Sequence, residues 1–253
     1  MFDTKFAIFF VIIFIAKAVE AVTGFGSTII ALTLGAQVYQ IEYMLPIVVP
    51  LNIILSTYIL IKHAKAINWP ELARWILPFT IGGLIVGMII FNIVQGNTLK
   101  LAYGVFVLCF AIVELVRLLR TVADCEARPL SAIKSMIWLF AGGVIHGIYA
   151  SGGPMVVYYS CRKITDKSIF RSTLSVLWLV LNIILLADYI RTGKMTVETM
   201  KMFSWLLPAL AGGLFVGDIL HKRIPERKFR VLVYVLLIVA GASLVIKSMP
   251  SFH

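Results

Sequence analysis

The sequence predicts an all-α polytopic membrane protein made of two inverted five-segment repeats, each opening with a short broken-helix hairpin. Three observations lead there: an apolar excess, a set of motifs that recurs across the two halves, and a positive charge distribution that fits one way of threading the segments.

The apolar excess settles the class. Of 253 residues, 60% are hydrophobic and 14% are charged, with a mean hydropathy of +0.97. A soluble domain is roughly half apolar and a quarter charged. Several uninterrupted apolar stretches reach the ~20 residues that span a bilayer, and the short alternating segments of a β-barrel are absent. In a soluble protein the net charge of +11 would point to nucleic acid. Here Lys and Arg gather in loops, as the positive-inside rule expects, so the bilayer and not nucleic acid is the implied partner. Cys109, Cys125 and Cys161 are odd in number and lack metal-ligand spacing, which makes them unpaired thiols. No motif asks for a cofactor or a metal, and no Walker-type loop points to ATP.

The duplication orders the chain. "LNIIL" at 51–55 recurs at 181–185, and "LPFTIGGLIVG" at 77–87 matches "LPALAGGLFVG" at 207–217. The shared offset of 130 carries Asn52 onto Asn182, Pro78 onto Pro208, and Gly82, Gly83 and Gly87 onto Gly212, Gly213 and Gly217. At an offset of 126, Gly26 falls on Gly152, Ser27 on Gly153 and Glu20 on His146. The resulting organisation is a first membrane repeat over 1–120, a cytoplasmic linker over 121–131 and a second repeat over 132–253. Residues 6–19 imitate a signal peptide, but a copy recurs mid-chain, where no signal peptide stands.

Each half divides into five helical segments. Those of the first half are 5–21, 27–40, 42–62, 72–94 and 97–119; those of the second are 132–148, 153–162, 168–190, 197–221 and 226–247. The first two of each half are short, roughly 15–23 Å each against a core of about 30 Å, and predict a hairpin that dips into the membrane and returns. If both hairpins return, sixteen Lys and Arg lie on one face and six on the other, with Lys17 inside the membrane. If each hairpin is one continuous span, the division is ten against twelve. The positive-inside rule selects the returning hairpin, inverts the two copies and puts both termini outside the cytoplasm. Inverted repeats with interrupted helices are the plan of secondary transporters, with the substrate near the midplane.

The breaks carry the candidate chemistry. "VTGFGST" at 22–28 and "ASGGPM" at 150–155 set Gly24, Gly26, Gly152 and Gly153 where apolar helices stop. Pro154 suits the first turn of a new helix, and Ser27 and Thr28 suit a cap or first turn. Both half-helices then aim amides and positive dipole ends at one central region, where glycine lets an oxyanion approach the backbone. The competing reading is that these glycines serve close helix packing. Tyr149 and Ser151 flank the second break, and Asn52 and Asn182 are candidate substrate hydrogen-bond partners or inter-helix glue. Ionisable groups inside a membrane are costly and commonly functional. Lys17 and Glu20, three apart on one helix, can pair, either to hold the hairpin or to supply positive potential and a proton carrier. His146 occupies Glu20's place in the second copy and suits proton coupling.

The motifs "GFGSTIIALTLG" and "GIYASGGPMVVYYS", the "LP…GG…G" helices and the duplication resemble the TauE/SafE sulfite exporter family of bacteria, also called the toluene-sulfonate uptake permease family, over essentially the whole chain. The resemblance implies transport of a sulfur-containing oxyanion (sulfite, thiosulfate or an organosulfonate) across the bacterial inner membrane by alternating access, with a proton as candidate coupling ion and no enzymatic step. Oligomeric state is not readable. Two rivals remain. One is a passive anion channel of the same fold. The other is an intramembrane serine protease built on Ser151, which lacks an evident base because His146 stands across the break.

Overall fold

A computed structural model describes residues 3–23, 26–63, 67–94, 96–119, 130–221 and 226–248. The described residues form ten helices: α1 Thr4–Thr23, α2 Ser27–Gly35, α3 Ile41–His63, α4 Trp69–Ile93, α5 Asn97–Leu119, α6 Ala132–Tyr149, α7 Gly153–Ser160, α8 Lys167–Arg191, α9 Val197–His221 and α10 Glu226–Ser248. Seven of them are long and apolar enough to cross a membrane. Most of the predicted linker, and Cys125 with it, lies outside the described residues. Cys109 and Cys161 are free thiols.

Local chemistry sets the boundaries. Asp166 caps α8, its Oδ1 accepting from the amides of Ser168 and Ile169 at 2.8 Å each. Asn68 Oδ1 accepts from the Glu71 amide at 3.2 Å at the start of α4, where Pro70 occupies the first turn. The next turn of α4, Leu72–Ile76, is π-helical. Gly96 and Gly193 take left-handed backbone at helix ends.

The predicted hairpins are present, with one correction to their dimensions. α1 and α6 have 20 and 18 residues, about 30 and 27 Å at 1.5 Å per residue, so they are not the short legs expected. α2 and α7 have 9 and 8 residues, roughly 12–14 Å, and end earlier than the sequence suggested. Each hairpin therefore joins one long leg to one half-length leg. The chain turns back in both. Gly35, closing α2, sits against Phe9 near the start of α1, and the Phe9 and Tyr39 rings meet at 5.3 Å. In the second hairpin the rings of Trp138 on α6 and Tyr158 on α7 lie 4.6 Å apart.

The helices pack in two compact units that cut across the sequence halves. The first comprises Met1–Leu45, Val94–Val122 and Val197–His253: the α1–α2 hairpin with α5, α9 and α10. The second comprises Pro46–Ile93 and Ala123–Thr196: most of α3, then α4, the α6–α7 hairpin and α8. Each hairpin thus packs on the fourth segment of the opposite half, α1 on α9 and α6 on α4.

The two crossings repeat one contact. A Cβ at Gly83 of α4 would lie 2.0 Å from the Phe140 carbonyl oxygen, and one at Gly87 2.2 Å from that of Val144. In the other unit a Cβ at Gly213 would lie 2.6 Å from the Phe14 oxygen, and one at Gly217 2.6 Å from that of Ala18. The offset of 130 relates the glycines, and the offset of 126 relates the carbonyls. Backbones approach this closely only where no side chain intervenes, the usual basis of helix packing in lipid.

Candidate functional site

In the first unit the break separates α1 from α2. Gly24 lies outside the described residues. Gly26 precedes α2 with φ 94°, a left-handed conformation that favours glycine. Ser27 and Thr28 are buried first-turn residues, and Gly26 offers no side-chain cap. The first amides of α2 have no intrahelical acceptor, so this helix start presents donors and a positive dipole end.

Lys17 reaches this helix start from α1. Its side chain is fully buried, and its Nζ donates to Glu20 Oε2 at 3.3 Å and to Ser27 Oγ at 3.1 Å. The expected Lys17–Glu20 pair is therefore formed, and Ser27 extends it to the break. The lysine stem is held by the crossing of α1 with α9, since a Cβ at Gly213 would lie 2.9 Å from Lys17 Cβ.

The second unit holds the other break. α6 ends at Tyr149, and the Ala150 amide closes it on the His146 carbonyl at 2.7 Å. Ala150 is left-handed with φ 50°, a strained state for a residue with a Cβ. Gly24 stands at its matching position in the first half. α7 then starts at Gly153 with Pro154 in its first turn, as the sequence predicts.

Four side chains gather at this start. His146 and Asn182 are 3% and 2% exposed, and the Asn182 amide neighbours the imidazole. The ring stacks on Trp178, with centroids 5.4 Å apart and planes 18° apart. A Cβ at Gly152 would lie 2.8 Å from His146 Cβ, and one at Gly153 3.9 Å from Trp178 Cζ2. The imidazole and the Asn182 carboxamide lie within reach of one another, and no other group partners the His146 nitrogens or Asn182 Oδ1. Ser151 is buried, and its Oγ donates to the Tyr149 carbonyl at 2.9 Å. No Ser151–His146 pair of the kind a serine nucleophile needs is formed.

The remaining candidates are placed less directly. Tyr149 is buried at the end of α6, and Asn52 is buried on α3 with a neighbour engaging it. Trp178 was not singled out by the sequence. Its signal was its place on α8 one turn before Asn182, the i, i+4 spacing that puts two side chains on one helix face.

Gly152 of the second break also does packing work. A Cβ at Gly152 would sit 2.0 Å from the Gly142 carbonyl oxygen, so the packing reading holds at this position. Gly153 and Gly26 are not limited in that way: nothing lies within 4 Å of a Cβ at Gly26.

A family model described as Sulfite exporter TauE/SafE matches residues 9–244. Over 103 residues the chain is 30% identical to a protein of Comamonas testosteroni named "Probable inner membrane transporter protein TsaS", a match covering 40% of this chain and 43% of that relative. The match thus spans less than half of the relative's length. No solved structure matches the chain.

Proposed function

The chain belongs to the sulfite exporter TauE/SafE family of membrane transporters, and on that premise we propose that it carries a sulfur-containing oxyanion across the bacterial inner membrane as a secondary transporter. The observation that carries this reading is chemical. In each unit a helix begins inside an apolar bundle with buried polar side chains beside its first turn: Lys17 and Ser27 at α2, His146 and Asn182 at α7. Backbone donors and a helix dipole can hold an oxyanion and release it, because hydrogen bonds do most of the binding and fixed charge is limited.

In this reading each break offers an anion its first-turn amides, the first through Gly24, Gly26, Ser27 and Thr28 and the second through Tyr149, Ser151, Gly152 and Gly153. Asn52 and Asn182 supply side-chain hydrogen bonds. Lys17 provides positive potential at the first break and Glu20 neutralises it, which keeps the buried charge affordable without a bound anion. Glu20 and His146 stand at matching positions and are the groups proposed to accept a coupling proton. The two sequence repeats, inverted across the membrane, supply the alternating access.

Purified protein in liposomes tests the reading against sulfite, thiosulfate, sulfate, alkylsulfonates and chloride, with and without a proton gradient. Saturable flux of a sulfur oxyanion that the gradient alters supports it. Absence of flux or competition by every sulfur oxyanion rejects the substrate class. Flux indifferent to the gradient removes the proton.

A further inference from the structure

We propose that the break before α7 selects an oxyanion carrying a hydrogen-bond donor of its own, an O–H or N–H group beside its anionic oxygens. The inference rests on the transport reading above and narrows its substrate class.

The donor and acceptor count at this break leads to it. The helix start offers backbone N–H groups for anionic oxygens, but Pro154 removes one. Beside it stand His146 and Asn182, both more than nine-tenths buried and within reach of one another, with no partner outside this pair for the ring nitrogens or Oδ1. A neutral imidazole carries one N–H and one acceptor nitrogen, and a carboxamide oxygen only accepts. Between them these atoms hold one donor and two acceptors, so pairing within the group leaves one acceptor over. If the ring N–H turns to Asn182 Oδ1, the other ring nitrogen still needs a donor. Ser151 does not supply it, because its hydroxyl hydrogen goes to the Tyr149 carbonyl.

The ring is also held in place. Trp178 stacks on one face, and Gly152 packs against its Cβ, with Gly153 next to the tryptophan. A donor-free oxyanion at α7 would turn lone pairs toward lone pairs at these acceptors. An oxyanion with its own N–H or O–H satisfies the helix amides through one end and the acceptors through the other. Sites that hydrogen-bond a ligand donor reject analogues lacking it far more strongly than apolar pockets reject a methyl group. The first break has a different balance, with Lys17 donating to Glu20 and Ser27.

Sulfamate and methanesulfonate make the test, because both are small tetrahedral monoanions that differ by NH₂ against CH₃. Each is offered to the reconstituted protein as a substrate and as a competitor of sulfite uptake. The expected result is a preference for sulfamate of at least ~10-fold, falling to within about 2-fold of parity in Asn182→Leu and in His146→Phe, the latter keeping a ring against Trp178. Equal or better use of methanesulfonate overturns the proposal, as does sulfite transport with which sulfamate does not compete. A preference unchanged in both variants overturns its assignment to these atoms. If no anion moves, including sulfite, the transport reading itself has failed, and that outcome is distinct from the others.

Discussion

The ammonium of Lys17 lies 3.1 Å from the hydroxyl of Ser27, so a fully buried cation on α1 touches the first residue of α2 across the break. It also donates to Glu20 Oε2 at 3.3 Å. Removing one member of a buried pair strands the other, typically at about 3–5 kcal/mol, whereas replacing both is far cheaper. Lys17→Met should lower the melting temperature in detergent, and Lys17→Met with Glu20→Gln should recover much of it. If the cation serves the anion, flux stays low in both. Flux that returns with stability would make the pair a structural fastening only.

Ala150 ends α6 with φ 50°, which costs a residue bearing a Cβ about 1–2 kcal/mol. Ala150→Gly should therefore raise the melting temperature, by an amount equivalent to about 1 kcal/mol once the extra entropy of glycine in the unfolded chain is subtracted. A lower melting temperature would mean that the left-handed turn is not the conformation present.

The glycines of the second break should respond differently to one methyl group. Gly152→Ala drives a Cβ into the Gly142 carbonyl, while Gly153→Ala meets only Trp178 at van der Waals distance. Yield and thermal stability should fall in the first and stay near wild type in the second. Loss of sulfite flux in a stable Gly153→Ala protein would then report on the helix start itself. Matching stability losses in the two variants would contradict the packing assigned to Gly152.

The hairpin crossings give a paired test. A Cβ at Gly83 would meet the Phe140 carbonyl at 2.0 Å, while one at Gly82 meets only the Phe140 ring at 3.8 Å. Gly83→Ala should destabilise by at least the ~1–3 kcal/mol of core overpacking, and Gly82→Ala by little. Gly213→Ala should behave as Gly83→Ala does, because it meets the Phe14 oxygen at 2.6 Å. Equal tolerance at Gly82 and Gly83, read by melting in detergent, would reject the crossing.

The helices were legible because apolar length and repeated motifs report directly on what lipid requires of a backbone. The structure gives the duplicated "GG…G" runs partners, Phe140 and Val144 in one unit and Phe14 and Ala18 in the other. What the sequence did not convey was that these partners lie on the opposite half's hairpin, since a repeat shows likeness and not which copy packs on which. The bounds of α1 and α6 were legible to within two residues, and the helices run on toward the breaks as far as Thr23 and Tyr149. At the site, Lys17 with Glu20 followed from i, i+3 spacing. The contact with Ser27 needed the chain to turn back, and the stack of His146 on Trp178 needed α6 and α8 to meet; neither is encoded in local spacing.

Counterflow of labelled sulfite tests the central claim most directly. Liposomes holding purified protein are loaded with unlabelled sulfite and diluted into a trace of labelled sulfite. A secondary transporter working by alternating access should accumulate label transiently above equilibrium, and preloaded sulfamate should support the same overshoot. Label that only equilibrates, at a rate indifferent to internal sulfite, would contradict the account and identify a channel.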